Sequence, residues 1–157
     1  MHSHEDIQAL TKGKILFDLE DSEVRNLARV GEFKTYSKGT LLLEEGITGD
    51  GLFIILDGEA TVFLPKNSNR ISEIKIIQLN TFDCFGEYSL IDEEPASASV
   101  IVRSNQLRTC LITKNSFKNF ADTHHKTAKI IYKNLLELQI RRLRKNLKEL
   151  DLISVFH

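Results

Sequence analysis

Between Phe33 and Cys110 the chain is a succession of short apolar runs broken by turn residues, and this spacing limits its fold more than any other feature. Thr40-Leu41-Leu42-Leu43 stops at Glu44-Glu45-Gly46. Gly49-Asp50-Gly51 introduces Leu52-Phe53-Ile54-Ile55-Leu56, and Ala60-Thr61-Val62-Phe63-Leu64 follows. Between them stands Asp57-Gly58, a hairpin signal, because a type I′ turn wants positive φ at both central residues. Pro65-Lys66-Asn67-Ser68-Asn69 reads as another turn before Ile74-Lys75-Ile76-Ile77. Ser99-Val100-Ile101-Val102 and Thr109-Cys110-Leu111-Ile112 complete the set. Many short strands at this spacing predict a sandwich, jelly roll or barrel. Helical periods flank them. Leu16 to Arg29 reads as a helix capped by Asp21 or Ser22, with Val24, Leu27 and Ala28 as its apolar stripe. From Ser116, Phe117, Phe120 and Ala121 suit a short amphipathic helix, and a long helix is expected from about Thr127 to Asp151.

A chain of 157 residues suits one compact domain with a short appendage. Its 41% hydrophobic content supplies a core, and a net charge of −1 offers no basic field for nucleic acid or an anionic membrane. No apolar run approaches the ~18 residues of a membrane span. Met1-His2-Ser3-His4-Glu5-Asp6 lacks the basic start and apolar stretch of a signal peptide, so a native start at Met1 and a cytoplasmic address are expected. Cys84 and Cys110 lie in strand-like segments and read as buried, reduced thiols. Of five histidines, His2, His4 and His157 lie near the ends, and His124-His125 are adjacent and diverge on a helix. No metal site is expected. With no histidine between Glu5 and Thr123, neither a metal-dependent enzyme of the cupin type nor a haem sensor has its ligands, and the chain reads as non-enzymatic.

The order helix, β-roll, two helices resembles the cyclic nucleotide-binding domain family, which includes catabolite activator proteins and regulatory subunits of protein kinase A. Lys38-Gly39-Thr40-Leu41-Leu42-Leu43-Glu44-Glu45-Gly46 is similar to its first glycine-bracketed strand pair. Leu52 to Ala60 is similar to its central strand, turn and return strand. Phe85-Gly86-Glu87-Tyr88-Ser89-Leu90 resembles the start of its phosphate-binding cassette, and Pro95-Ala96-Ser97-Ala98-Ser99-Val100 the end. The resemblance implies a double-stranded β-helix, a jelly-roll-like β-roll, between an N-terminal helix and a long C-terminal helix. It also implies a ligand site at Gly86, Glu87, Tyr88, Ser89, Ala96, Ser97 and Ala98.

Residue chemistry gives those positions separate reasons. Gly86 carries no Cβ to hold a ligand away from the backbone. Glu87 is an acceptor for ribose hydroxyls. Tyr88 to Ile91 suits a short helix whose N–H groups face an anion. The family also places an arginine after the cassette proline, where it pairs with the cyclic phosphate. This chain has Ala96 there. Arg103 falls at odd spacing and points to the other face of a regular strand, and Arg108 reads as lying on or beyond a turn. A hydrogen bond to a charged partner contributes about 1.5–3 kcal/mol, so affinity for cAMP or cGMP is expected to fall by roughly two or more orders of magnitude. Glu87 is expected to sit beside an anion with nothing to offset it. Gly86-Glu87 serving only to shape the roll is the competing reading.

Leu136, Ile140, Leu143, Leu147 and Leu150 step by four, three, four and three, an a/d seam of period 3.5. The resemblance implies a parallel homodimer through this helix; packing against its own roll is the alternative. Ile130, Ile131, Leu135 and Leu138 form a second apolar set suited to facing the roll. Arg141, Arg142, Arg144, Lys145 and Lys148 read as a solvated basic face. The six residues Leu152 to His157 are too few for a helix-turn-helix, so DNA is not an expected partner. The expected organisation is an N-terminal extension over 1–15, the β-roll with its flanking helices over 16–126, and a dimerising helix over 127–157. The expected function is ligand sensing in the roll, coupled to that helix and to a regulated protein partner. A ligand-free dimerisation or docking domain is the alternative.

Overall fold

The alternating segments pair into two four-stranded antiparallel sheets in a computed structural model that describes residues 2–155, the last of these in backbone only. Met1, Phe156 and His157, part of the expected N-terminal extension and C-terminal segment, lie outside the described residues. The strands are β1 (Glu32–Ser37), β2 (Leu41–Leu43), β3 (Gly51–Asp57), β4 (Ala60–Leu64), β5 (Ile74–Leu79), β6 (Cys84–Phe85), β7 (Ser99–Val102) and β8 (Gln106–Thr113). One sheet has the order β1-β8-β3-β6, the other β2-β7-β4-β5. The architecture is the β-roll that the strand spacing and the resemblance imply.

The unbroken apolar run of β3 follows from its position, since a strand covered on both faces has no polar side to alternate with. Leu52, Ile54 and Leu56 pack outward against the helices. Phe53 and Ile55 pack inward between the sheets with Phe85, Val100, Val102 and Leu107. The helices α1 (His4–Thr11), α2 (Asp21–Ala28), α3 (Lys114–Thr123) and α4 (His125–Val155) supply the outer layer. Leu10 and Ile15 from the N-terminal stretch, and Ile131 and Leu135 from α4, join the same cluster as Leu52 and Cys110. Packing therefore runs continuously across positions 15/16 and 126/127.

Three local expectations need correction. Asp57-Gly58 is not a hairpin turn, because β3 and β4 belong to different sheets. Gly58 alone of the pair has positive φ (107°), and a Cβ there would collide with the Gln106 carbonyl. The segment is a crossing between sheets, fixed by the Gly58 and Glu59 amides donating to Thr81 Oγ1 (3.2 Å) and Ser104 Oγ (2.9 Å). Secondly, the helix expected from Leu16 begins only at Asp21. Lys14–Leu16 is a 3-10 turn, and Glu20, not Asp21 or Ser22, is the cap, in a reciprocal box with Glu23. Thirdly, Arg108 lies within β8, opposite Thr35 and Asp57, and pairs with the buried Asp6 of α1. The helix α1 has its own sequence signal, Ser3 and Asp6 in capping-box spacing, with Asp6 N–H donating to Ser3 Oγ at 3.2 Å.

The first three turns of α4 are anchored to the body of the protein. Asn134 Nδ2 donates to the carbonyls of Ile15 (2.9 Å) and Phe17 (2.7 Å), and Thr127 Oγ1 donates to Glu23 Oε1 (3.0 Å). From Leu143 to Ser154 every residue is exposed.

Cys84 and Cys110 are free and buried. Burial, reinforced by the charge of Glu87, drives the Cys84 thiol far above its ordinary range. Burial and Asp6 push Cys110 up to about 12. A thiolate is the reactive form, so neither thiol should react with an aromatic disulfide reagent at pH 8 in the native protein. Both should react after unfolding, and fast labelling of the native protein would contradict this burial.

Candidate functional site

The loop from β6 to β7 is built around a left-handed residue. Gly86 has φ of 77°, and a Cβ there would collide with the Gly51 carbonyl at the start of β3. The glycine therefore has a packing reason besides any ligand. A short 3-10 turn, Glu87–Leu90, follows in place of the Tyr88–Ile91 helix. The Ser89 N–H and hydroxyl both donate to the Gly86 carbonyl, at 3.2 and 2.6 Å, so these two donors are turned into the loop. The far end of the loop is tied to the β2–β3 connection. Gly46 N–H donates to the Ala96 carbonyl (2.9 Å), and Ala96 N–H donates to the Ile47 carbonyl (3.0 Å). Arg70 Nη2 holds both oxygens of Glu45 at 2.6 and 2.7 Å, and Ser99 Oγ accepts from the Glu45 amide at 3.0 Å.

These segments enclose a cavity of about 660 Å³, within the ~300–1,000 Å³ of small-molecule sites. Gly86, Glu87, Tyr88, Ser89, Ala96, Ser97 and Ala98 all line it. Its walls are mainly apolar, with Leu43, Val62, Ile77, Leu79, Phe85 and Val100 contributed by both sheets. One side is formed by α4, through Gln139, Arg142, Leu143, Lys145, Asn146 and Glu149.

The contact between α4 and the loop is the residue-level feature that sequence reasoning missed. Arg142 Nη1 donates to Glu87 Oε1 at 2.6 Å, Gln139 Nε2 donates to the same oxygen at 2.5 Å, and Arg142 Nη2 reaches the Cys84 carbonyl at 3.3 Å. Glu87 thus has a cation to offset it, contrary to the expectation that it would not. Arg142, expected on a solvated basic face, keeps only 27% of its side chain exposed. Arg141, Arg144, Lys145 and Lys148 are exposed. The available signal was spacing: Leu135, Gln139 and Arg142 follow one another at four and three residues, and Leu135 belongs to the set read as facing the roll.

Among the described residues no other arginine lines the cavity. Arg103 Nε donates to Thr61 Oγ1 (3.2 Å) and its guanidinium lies 3.7 Å from Glu73. Arg108 is held by Asp6 on the far side of β8. The seam residues Leu136, Ile140, Leu143, Leu147 and Leu150 are 41–62% exposed, while Ile131 and Leu135 are buried and Leu138 is half-buried. The two apolar sets therefore occupy different faces of α4. Among the described residues no helix is long and apolar enough to cross a membrane.

Residues 33–124, more than half of the chain, match the family profile described as the cyclic nucleotide-binding domain. The chain is similar to the cGMP-dependent protein kinase isozyme 1 of Drosophila melanogaster, with 29% identity over 66% of this chain and 14% of that one. It is also similar to the cAMP-dependent protein kinase type II regulatory subunit of the same organism, with 26% identity over 71% of this chain and 29% of that one. These matches thus span less than a third of either curated relative. Among solved structures, the Thermus thermophilus catabolite activator protein superposes with a TM-score of 0.75 and 25% identity, over 90% of this chain and 63% of that chain.

Proposed function

The chain belongs to the cyclic nucleotide-binding domain family, and from that premise we propose that it is a non-catalytic regulatory module whose β-roll cavity takes a small ligand and passes its occupancy to α4. The observation that carries this reading is the contact of Glu87 with Gln139 and Arg142. One carboxylate lines the cavity and is also the point at which the outer half of α4 is held. A ligand that engages Glu87 competes with or reinforces that contact, and so changes how firmly α4 is seated.

Residues 16–126 serve as the sensing unit and 127–157 as its output, through a homodimer in the cytoplasm and a regulated protein partner. The names of the two kinase relatives support cyclic nucleotides as the first ligands to test. Ala96 supports weak binding of both, because the cassette arginine is replaced and Arg103 and Arg108 are engaged elsewhere. Two contacts favour the second reading, a ligand-free docking domain: the approach of Gly86 to Gly51 and the turning of the Ser89 donors into the loop both shape the roll without a ligand.

Hydrogen exchange tests the coupling. With cAMP or cGMP at about ten times its measured Kd, roughly nine-tenths of the protein is occupied. Exchange should change together in residues 86–98 and in residues 139–149. A change confined to 86–98 would refute transmission to α4. No binding of any nucleotide or nucleoside would favour the docking domain.

A further inference from the structure

Resting on the reading of the cavity as a ligand site, we infer that it selects an uncharged ligand of nucleoside type, a flat apolar body carrying hydroxyl donors, over the phosphorylated form. The charges that face the cavity carry the argument. Four carboxylates line it, Glu87, Asp92, Glu94 and Glu149, against two cations, Arg142 and Lys145. Arg142 is committed to Glu87 at 2.6 Å, and Lys145 lies 4.0 Å from Glu149. What remains is Asp92 and Glu94, both exposed and on the same loop as Ala96, with no cation on their carboxylates among the described residues; Lys114, which donates to the Asp92 carbonyl at 3.2 Å, is paired with Glu93 at 3.3 Å. An anion entering there loses water and meets like charge, with no guanidinium to receive it. The Ser89 hydroxyl and amide both donate to the Gly86 carbonyl.

The same cavity is well made for a neutral molecule. Leu43, Val62, Ile77 and Val100 offer apolar walls to a ring. Both donors to Glu87 converge on Oε1, and Oε2 accepts no hydrogen bond from the described residues although the side chain is only 9% exposed. A carboxylate oxygen without a donor is an acceptor for a ligand hydroxyl. Asn146, on the α4 side, adds an amide that can donate and accept.

Isothermal titration of adenosine, guanosine, cAMP and cGMP against the full chain at about 50 mM salt, where charge effects are weakly screened, tests this directly. At least one nucleoside should bind about tenfold or more tightly than its own cyclic monophosphate, a ratio in keeping with one lost charge-assisted contact. Asp92→Asn combined with Glu94→Gln, at exposed positions, should strengthen cyclic nucleotide binding by about threefold or more and so narrow the gap between each cyclic nucleotide and its nucleoside. A cyclic nucleotide binding as tightly as its nucleoside would overturn the inference and leave the ligand site standing. If none of the four binds while Ala96→Arg binds cAMP, the cavity is open and the neutral-ligand inference alone falls. If Ala96→Arg binds nothing either, the ligand-site reading falls with it.

Discussion

Replacing Leu143 and Leu147 together with lysine should convert a homodimer into a folded monomer. Both side chains are more than half exposed in a single chain, so the β-roll core does not depend on them. In a parallel pair each copy would contribute both leucines, at about 1.5–3 kcal/mol for every side chain removed from water. Even the low end, summed over two copies, weakens association by about 10⁴-fold. The introduced lysines add repulsion to a helix already carrying Arg141, Arg144, Lys145 and Lys148, of which Lys145 lies 4.0 Å from Glu149, while Glu137 lies 3.9 Å from Lys133. Light scattering should give a dimer for the native chain at tens of micromolar and a monomer for the variant, with unchanged circular dichroism. A native monomer would refute the dimer. A variant that unfolds would mean that the seam packs against the roll.

Ala96→Arg should strengthen cAMP binding by about 10–100-fold, the range spanned by one hydrogen bond to a charged group. The backbone at this position is already fixed by bonds to Gly46 and Ile47, and the side chain lines a cavity of about 660 Å³. The new guanidinium enters beside Asp92 and Glu94, which neutralise part of it, and this keeps the gain toward the lower half of the range. Glu87 Oε1 is already paired with Arg142. An affinity unchanged by the substitution would mean that the cavity, not the missing arginine, limits binding.

Short-range pattern made most of the fold legible. The strand-length runs and their turn residues predict a β-roll, and the two apolar sets of α4 separate into Ile131 and Leu135 against the body and Leu147 and Leu150 toward solvent. The loop residues expected to share a site line one cavity, because they are close in sequence and a two-ended loop brings them together. The failures occur where partners are distant. Asp57-Gly58 carries a hairpin signal, but its neighbours pair across other strands, and sheet partnership is a property of the whole roll. Arg142 and Glu87 stand 55 residues apart. Nothing local distinguishes Arg142 from Arg141 and Arg144 until α4 is docked and its face toward the loop is fixed.

In the proposed reading the chain is a cassette fold with Ala96 in place of its phosphate anchor. Isothermal titration of the native chain with cAMP at about 150 mM salt tests it most directly, since surface charge is then largely screened and the pocket contacts dominate. The expected Kd is roughly tens of micromolar or weaker, the value left when a charged hydrogen bond is removed from a tight site. A submicromolar Kd would contradict it.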